Sequence, residues 1–203
     1  YNKGSMVVHM LRYVLGDEDF YQGMRNFLND PAIAYNYAVT TQVKQHLEAA
    51  SGKDLTEFFN DWVYGEGYPS YQVTAEIVSE TQTKITLSQT SSHAGVSFFE
   101  MPVTLRLTGT NSQTENVVLQ HTQNNQQFIV DANVGKISGI EINPFNDIIS
   151  KDNLVTLKDA VALPVVEELK VFPNPTESAF QVEIPEKMKV DTMNLYNGSG
   201  KLV

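Results

Sequence analysis

The sequence predicts an α+β multidomain chain: a short helical bundle segment, an antiparallel β-sandwich after it, and a partial second small β-sandwich at the end. Three observations predict it. The apolar rhythm is helical up to about residue 68, the rhythm becomes two beyond that point, and a Pro-Asn-Pro turn opens a further stretch soon after Glu168. The expected organisation is 1–67 helical, 68–150 β-sandwich, 151–167 linker, and 168–203 a truncated β segment.

In the helical part, Val7, Val8, Leu11, Val14 and Leu15 form an i, i+1, i+4, i+7, i+8 stripe that Gly16 stops. Asp17 can cap a second helix whose buried stripe would be Phe20, Met24, Phe27 and Leu28, ended by Asn29-Asp30-Pro31. Thr40 or Thr41 starts a third helix with Val43, Leu47 and Ala50, closed by Ser51-Gly52. Asp54 caps a fourth helix with Leu55, Phe58, Phe59, Trp62 and Val63, which Gly65 and Gly67 terminate.

From Tyr68 onward, Tyr71, Val73, Ala75 and Ile77 alternate with polar residues, as do Ile85 and Leu87, and then Val103, Leu105 and Leu107. Shorter runs follow at 117–120, 127–130 and 140–142, separated by turn residues such as Gly109-Thr110-Asn111-Ser112. Short strands at this spacing without an intervening helical pattern predict a sandwich of the immunoglobulin or fibronectin type. Residues 146–167 are mixed, and read as a final strand or a linker. In the last segment 180–184 and 190–196 alternate as strands, but about 36 residues are fewer than the roughly 40 a lone domain needs.

Composition narrows the function. The 203 residues carry a net charge of −10, which argues against a nucleic-acid partner because such a partner requires a basic face. No apolar run approaches the roughly 20 residues that span a bilayer. Cysteine is absent, so disulfides, thiolate metal sites and thiol catalysis are excluded. The chain enters a helical pattern at Tyr1 without an initiator Met or a signal-peptide profile, and closes on a strand just opening after Gly200. It is therefore expected to be a fragment of a longer protein.

The residues alone offer little catalytic machinery. His9, His46, His93 and His121 show no pair at i, i+4 and no H-E-x-x-H, so no self-contained zinc site can be argued and each reads as a packing or partly exposed residue. Gly65 and Gly67 follow a helix instead of a strand, which makes them a helix stop and not a phosphate cradle. No G-x-S-x-G elbow is present. Asp17 with Asp19 reads as the charge bias of a helix start, and Glu167 with Glu168 as a solvated face.

One ordered set remains. Tyr1-x-Lys3-Gly4 is followed by His9-Met10-Leu11-Arg12 and Leu15-Gly16-Asp17-Glu18-x-Phe20. After these come Thr40-Thr41, the stretch Leu47-Glu48-Ala49-Ala50-Ser51-Gly52-Lys53-Asp54-Leu55, then Phe58-Phe59, Trp62 and Gly67-Tyr68-Pro69. In order and approximate spacing this run resembles the M1 family of zinc aminopeptidases, the gluzincins. The resemblance implies peptide-bond hydrolysis by zinc-activated water, and it implies that Tyr1 is the phenol that donates a hydrogen bond to the oxyanion of the transition state. A phenol suits that role as a neutral donor at neutral pH. The family's zinc ligands, general-base Glu and amine-binding motifs lie before the position of Tyr1. The implied zinc therefore belongs to the longer parent, and this chain alone is expected to bind none and to be inactive.

The last segment carries a second resemblance. Val171-Phe172-Pro173-Asn174-Pro175-Thr176, Phe180, Leu195-Tyr196-Asn197 and Gly200-Lys201 are similar to the C-terminal sorting domain of the Bacteroidetes type IX secretion system. It implies a secreted or cell-surface bacterial protein with the secretion machinery as a partner, beside the peptide substrate that the M1 resemblance implies for the parent. Two other readings compete: a secreted, non-catalytic β-sandwich binding or adhesion module, and a degenerate peptidase homologue.

Overall fold

The computed structural model describes residues 1–79 and 81–158, and beyond them the backbone of 170–172 and 181–183. The chain is α+β and divides into two compact units, Tyr1–Val161 and Ala162–Val203. The first contains helices α1 (Asn2–Leu15), α2 (Asp17–Asn29), α3 (Thr40–Ser51) and α4 (Thr56–Phe59), and α4 runs into a π-helical turn, Asn60–Tyr64.

Among the described residues of that unit seven strands follow: β1 (Pro69–Ile77), β2 (Gln82–Ser91), β3 (Met101–Gly109), β4 (Thr114–His121), β5 (Gln126–Asp131), β6 (Ile137–Ile142) and β7 (Leu154–Lys158). They make two sheets, ordered β5-β2-β1-β7 and β4-β3-β6. Alternation dictates the pairing. Tyr71, Val73, Ala75 and Ile77 bury one face of β1 and meet Gln89, Leu87, Ile85 and Thr83 of β2 in antiparallel register. The same two-residue spacing recurs in β3, where Val103, Leu105 and Leu107 are fully buried. Both sheets and the helices contribute to one apolar cluster, from Met10 and Leu47 through Trp62 and Phe99 to Leu105 and Ile142.

Several expectations change. The first sheet is mixed and not purely antiparallel, because residues 154–158 form β7 parallel to β1, with Val73 opposite Val155. The segment left open between strand and linker is thus a sheet strand over those residues. Val8 is 48% exposed and Leu28 63%, so neither belongs to a buried stripe; Met10 and Gly23 do. The cause for α2 is its close approach to α3. Gly23 has no side chain, and a Cβ there would stand 2.8 Å from Leu47 Cδ2 and 3.1 Å from the His46 carbonyl. The contact strip then runs through 20, 23, 24 and 27 and leaves 28 outside.

Caps differ too. Asp17 lies in the first turn of α2 and not at its N-cap, and its two oxygens accept hydrogen bonds from Arg12 Nε and Nη2 at 2.7 and 2.9 Å. That bond holds the Asp17 carboxyl below its usual range and joins the cationic end of α1 to the anionic start of α2. Asp54 accepts from Thr56 N–H at 2.8 Å, ahead of α4, whose N-cap is Leu55. The fourth helix is α-helical only to Phe59 before the π turn takes over.

In the second unit β8 (Lys170–Phe172) and β9 (Gln181–Glu183) pair antiparallel, with Val171 opposite Val182. The expected strand at 190–196, the Pro-Asn-Pro turn and the Gly200-Lys201 turn lie outside the described residues.

Candidate functional site

The large apolar residues of the ordered motif set are structural. Leu47, Leu55, Phe58, Phe59 and Trp62 are buried in the shared core, and Trp62 lies 4.6 Å from the Phe99 ring, joining the π turn to the sheet layer. Glu48 receives Lys44 at 2.8 Å and the Leu55 N–H at 2.8 Å, which closes the α3–α4 corner. Others of the set are exposed, among them Lys3, His9, Arg12, Glu18, Thr40 and Thr41, and so is Tyr1. It forms the N-cap of α1, its carbonyl accepts from Ser5 N–H at 3.0 Å, and its side chain is wholly exposed.

α1 itself is held from several points along its length. Tyr13 and Thr104 of β3 bring their hydroxyls within 2.6 Å, Lys53 Nζ donates to the Val14 carbonyl at 2.7 Å, and His9 Nε2 lies 3.2 Å from Asp147 Oδ1. At the start of the helix Lys3 Nζ donates to the Gly65 carbonyl at 2.9 Å, just past the π turn. Beside this, α1, α3 and the π turn line an apolar groove of about 330 Å³ that includes Val7, Val8, Leu11, Val39, Val43 and Val63.

The four histidines are scattered. His46 Nε2 is 3.0 Å from Asp30, His93 Nε2 is 3.4 Å from Glu66, and His121 is fully buried between Gln89 and the Leu87 carbonyl, 3.1 Å away. Burial lowers the His121 pKa to about 4. Among the described residues no group of three or more His, Asp or Glu could hold a metal ion, so the zinc implied by the resemblance does not fit any set of side chains described in this chain.

Sequence reasoning passed over Asp61. It is buried in the π turn, accepts from Glu100 N–H at 3.3 Å, and is pushed up to about 6, mainly by burial and further by the charges of Glu57 and Glu100. An Asp one residue before Trp62 carries no sign of burial in an ordinary helical pattern, yet both lie buried in the π turn.

Comparison with known proteins bears on this layer. Residues 1–62 match the peptidase family M1 domain. The chain is 41% identical over 81 residues to an Aminopeptidase N of Lactococcus lactis subsp. lactis, covering 40% of this chain and 9% of that protein. It is 32% identical over 113 residues to Probable aminopeptidase 2 of Sulfurisphaera tokodaii, covering 54% of this chain and 14% of the relative. Against the Alanine/arginine aminopeptidase of Saccharomyces cerevisiae the identity is 28% over 183 residues, covering 80% and 20%. The chain thus spans about a tenth to a fifth of the length of these relatives. Its helical layer is similar to M1 aminopeptidases, from Tyr1 to the core tryptophan of the π turn. Among the described residues no helix is long and apolar enough to cross a membrane.

Proposed function

We propose that this chain is the C-terminal part of a secreted, zinc-dependent M1-type aminopeptidase, and that Tyr1 is its oxyanion donor. The observation that carries the reading is the family match over residues 1–62, in which Tyr1 immediately precedes α1. That helix is tied to the sheets through Tyr13 and to the π turn through Lys3. A neutral donor on a rigid element suits charge that develops only as a peptide carbonyl becomes tetrahedral. The M1 match over 1–62 supports it. Zinc is assigned to residues outside this chain, and this chain alone cleaves no peptide. The tail, similar to a type IX sorting domain, supports a secreted or cell-surface place for the protein and secretion machinery as its partner.

The test uses the protein at its native length, with zinc analysis and an aminoacyl-aminomethylcoumarin assay. Zinc-dependent release of the fluorophore supports the reading, as does a loss of about 10²–10³ in kcat for Tyr1→Phe at unchanged zinc content. A zinc-free, inactive protein favours the degenerate or adhesive alternatives. Deleting 168–203 tests the tail: unaltered delivery to the outside would rule the sorting role out.

A further inference from the structure

We propose that the π turn and the connector from β2 to β3 form a pH-sensitive clasp, closed while the Asp61 carboxyl holds a proton and loosened when it ionises. Residues 92–100 run along the turn and meet it at successive points. His93 lies where a Cβ on Gly67 would crowd it, and its Nε2 is 3.4 Å from Glu66 Oε2. Val96 sits so close to Gly65 that a Cβ there would collide with it. The Phe99 and Trp62 rings stand 4.6 Å apart, and the Glu100 N–H donates to Asp61 Oδ2 at 3.3 Å. On the sheet side Gln89 grips the Phe99 backbone twice, accepting from its N–H at 2.8 Å and donating to its carbonyl at 2.9 Å. The connector therefore stays with the sheets, and the partner free to move is the π turn.

Of these contacts only the last keeps a titratable group out of water. His93 and Glu66 are exposed, so their pair contributes little, and no proton alters the contacts of Val96 and Phe99. Asp61 is 8% exposed. Burial opposes its charge most, the carboxylates of Glu57 on α4 and Glu100 on the connector oppose it further, and the Glu100 N–H pulls the other way. The cations beside the turn are engaged elsewhere, Lys3 with the Gly65 carbonyl and His93 with Glu66. The net result holds the carboxyl at about 6, against 3.8 for one released into water. The closed clasp thus binds the proton more tightly than the open one. Its advantage is complete below about pH 4, declines as pH rises toward about 6, and stays at a lower constant level beyond.

Amide hydrogen exchange on the native-length protein, read peptide by peptide and corrected for the intrinsic effect of pH, tests this independently of any catalytic reading. Protection of 60–67 and 96–100 should fall about 10–100-fold between pH 4.5 and pH 7, while β1 changes far less. In Asp61→Asn the fall should vanish, with protection at pH 7 as high as the wild type shows in acid. Glu57→Gln alters an exposed residue of α4 and removes one opposing charge, so the fall should move to lower pH. A flat wild-type profile overturns the clasp. An equal fall in β1 does so too, because Asp61 would then act on unfolding of the whole unit. So does a fall that persists in Asp61→Asn, or one that Glu57→Gln leaves in place or moves upward.

Discussion

In the central strands β1, β2 and β3 burial follows the sequence almost residue by residue, whereas in the helical layer it does not. β1 buries Tyr71, Val73, Ala75 and Ile77 at 0 to 8% exposure, and β3 leaves none of Val103, Leu105 and Leu107 accessible. By contrast α3 buries Leu47 alone, while Val8, Leu28, Tyr35, Tyr37, Val39 and Tyr64 stand largely in the open. A strand has two faces, and a second sheet covers one of them completely. A helix packed on one side only leaves the flanks of its apolar stripe exposed. The helical layer therefore holds more apolar side chains than its own fold uses, whereas in the sheets the exposed ones fall outside the central strands, at Val118, Ile129, Leu154 and Leu157.

The strongest test of that contrast lies at the seam. Phe99 contacts Trp62 and is fully buried in the cluster common to both layers. Phe99→Ala should cost about 3–5 kcal/mol. Urea unfolding followed by the fluorescence of Trp62, the sole tryptophan, should coincide with the loss of far-UV dichroism from helices and strands. Two separated transitions would mean that the layers fold independently and that the shared core is incidental.

Two buried titratable groups, one on each side of the seam, oppose one another. His121 in the sheets falls from 6.5 to about 4, so the folded state binds fewer protons than the unfolded state, and stability is lost as pH drops from about 6.5 toward 4. Asp61 in the helical layer rises from 3.8 to about 6, so the folded state binds more protons there, and stability is lost as pH climbs from about 4 toward 6. Each contributes on the order of 2–3 kcal/mol, and the two slopes largely offset in the wild-type chain. Asp61→Asn should be more stable at pH 7 and lose stability on acidification, and His121→Gln should do the reverse. Urea midpoints at pH 4.5 and pH 7 check both; parallel profiles in the two variants would show that neither group titrates while buried.

Within the helical layer Gly23→Ala measures how firmly α2 sits on α3. Alanine gains about 1 kcal/mol in helix propensity, but its Cβ must displace Leu47 and the His46 backbone, which costs about 1–3 kcal/mol. A net loss of about 1 kcal/mol is expected in thermal unfolding. A gain would show that α2 slides on α3, making the helical layer softer than the sheets.

These differences mark what was legible in the sequence. Alternation exposed β1, β2 and β3 because each buries one complete face. It could not expose β7, since a strand exposing Leu154 by 58% and Leu157 by 39% carries no inward-facing set to read. The π turn was hidden for a different reason: Phe58, Phe59, Trp62 and Val63 keep the same apolar spacing whether residues 60–64 are α or π. At the site, Tyr1 stood out through its resemblance to a motif, while the contact between Lys3 and Gly65 joins residues too far apart for any local pattern to reveal.

The smallest expected effect asks whether the surplus apolar surface matters to this chain at all. Val39 is the N-cap of α3, with extended backbone at φ −121 and ψ 156, 60% exposed, and no side-chain cap bond. Half of a capping box is already in place, because Gln42 Oε1 accepts from Val39 N–H at 2.9 Å. A serine at this position could share the Gln42 N–H, which already donates to the Val39 carbonyl at 3.0 Å, so Val39→Ser should raise stability by about 0.5 kcal/mol, read as a higher urea midpoint. The sign decides the matter. A gain shows that folding of the described chain does not require valine there, as it does require Val73 in the sheet. A loss would show that the Val39 methyls pack in the groove against Val8 and Val43 tightly enough to outweigh a cap, and the contrast between the two layers would narrow accordingly.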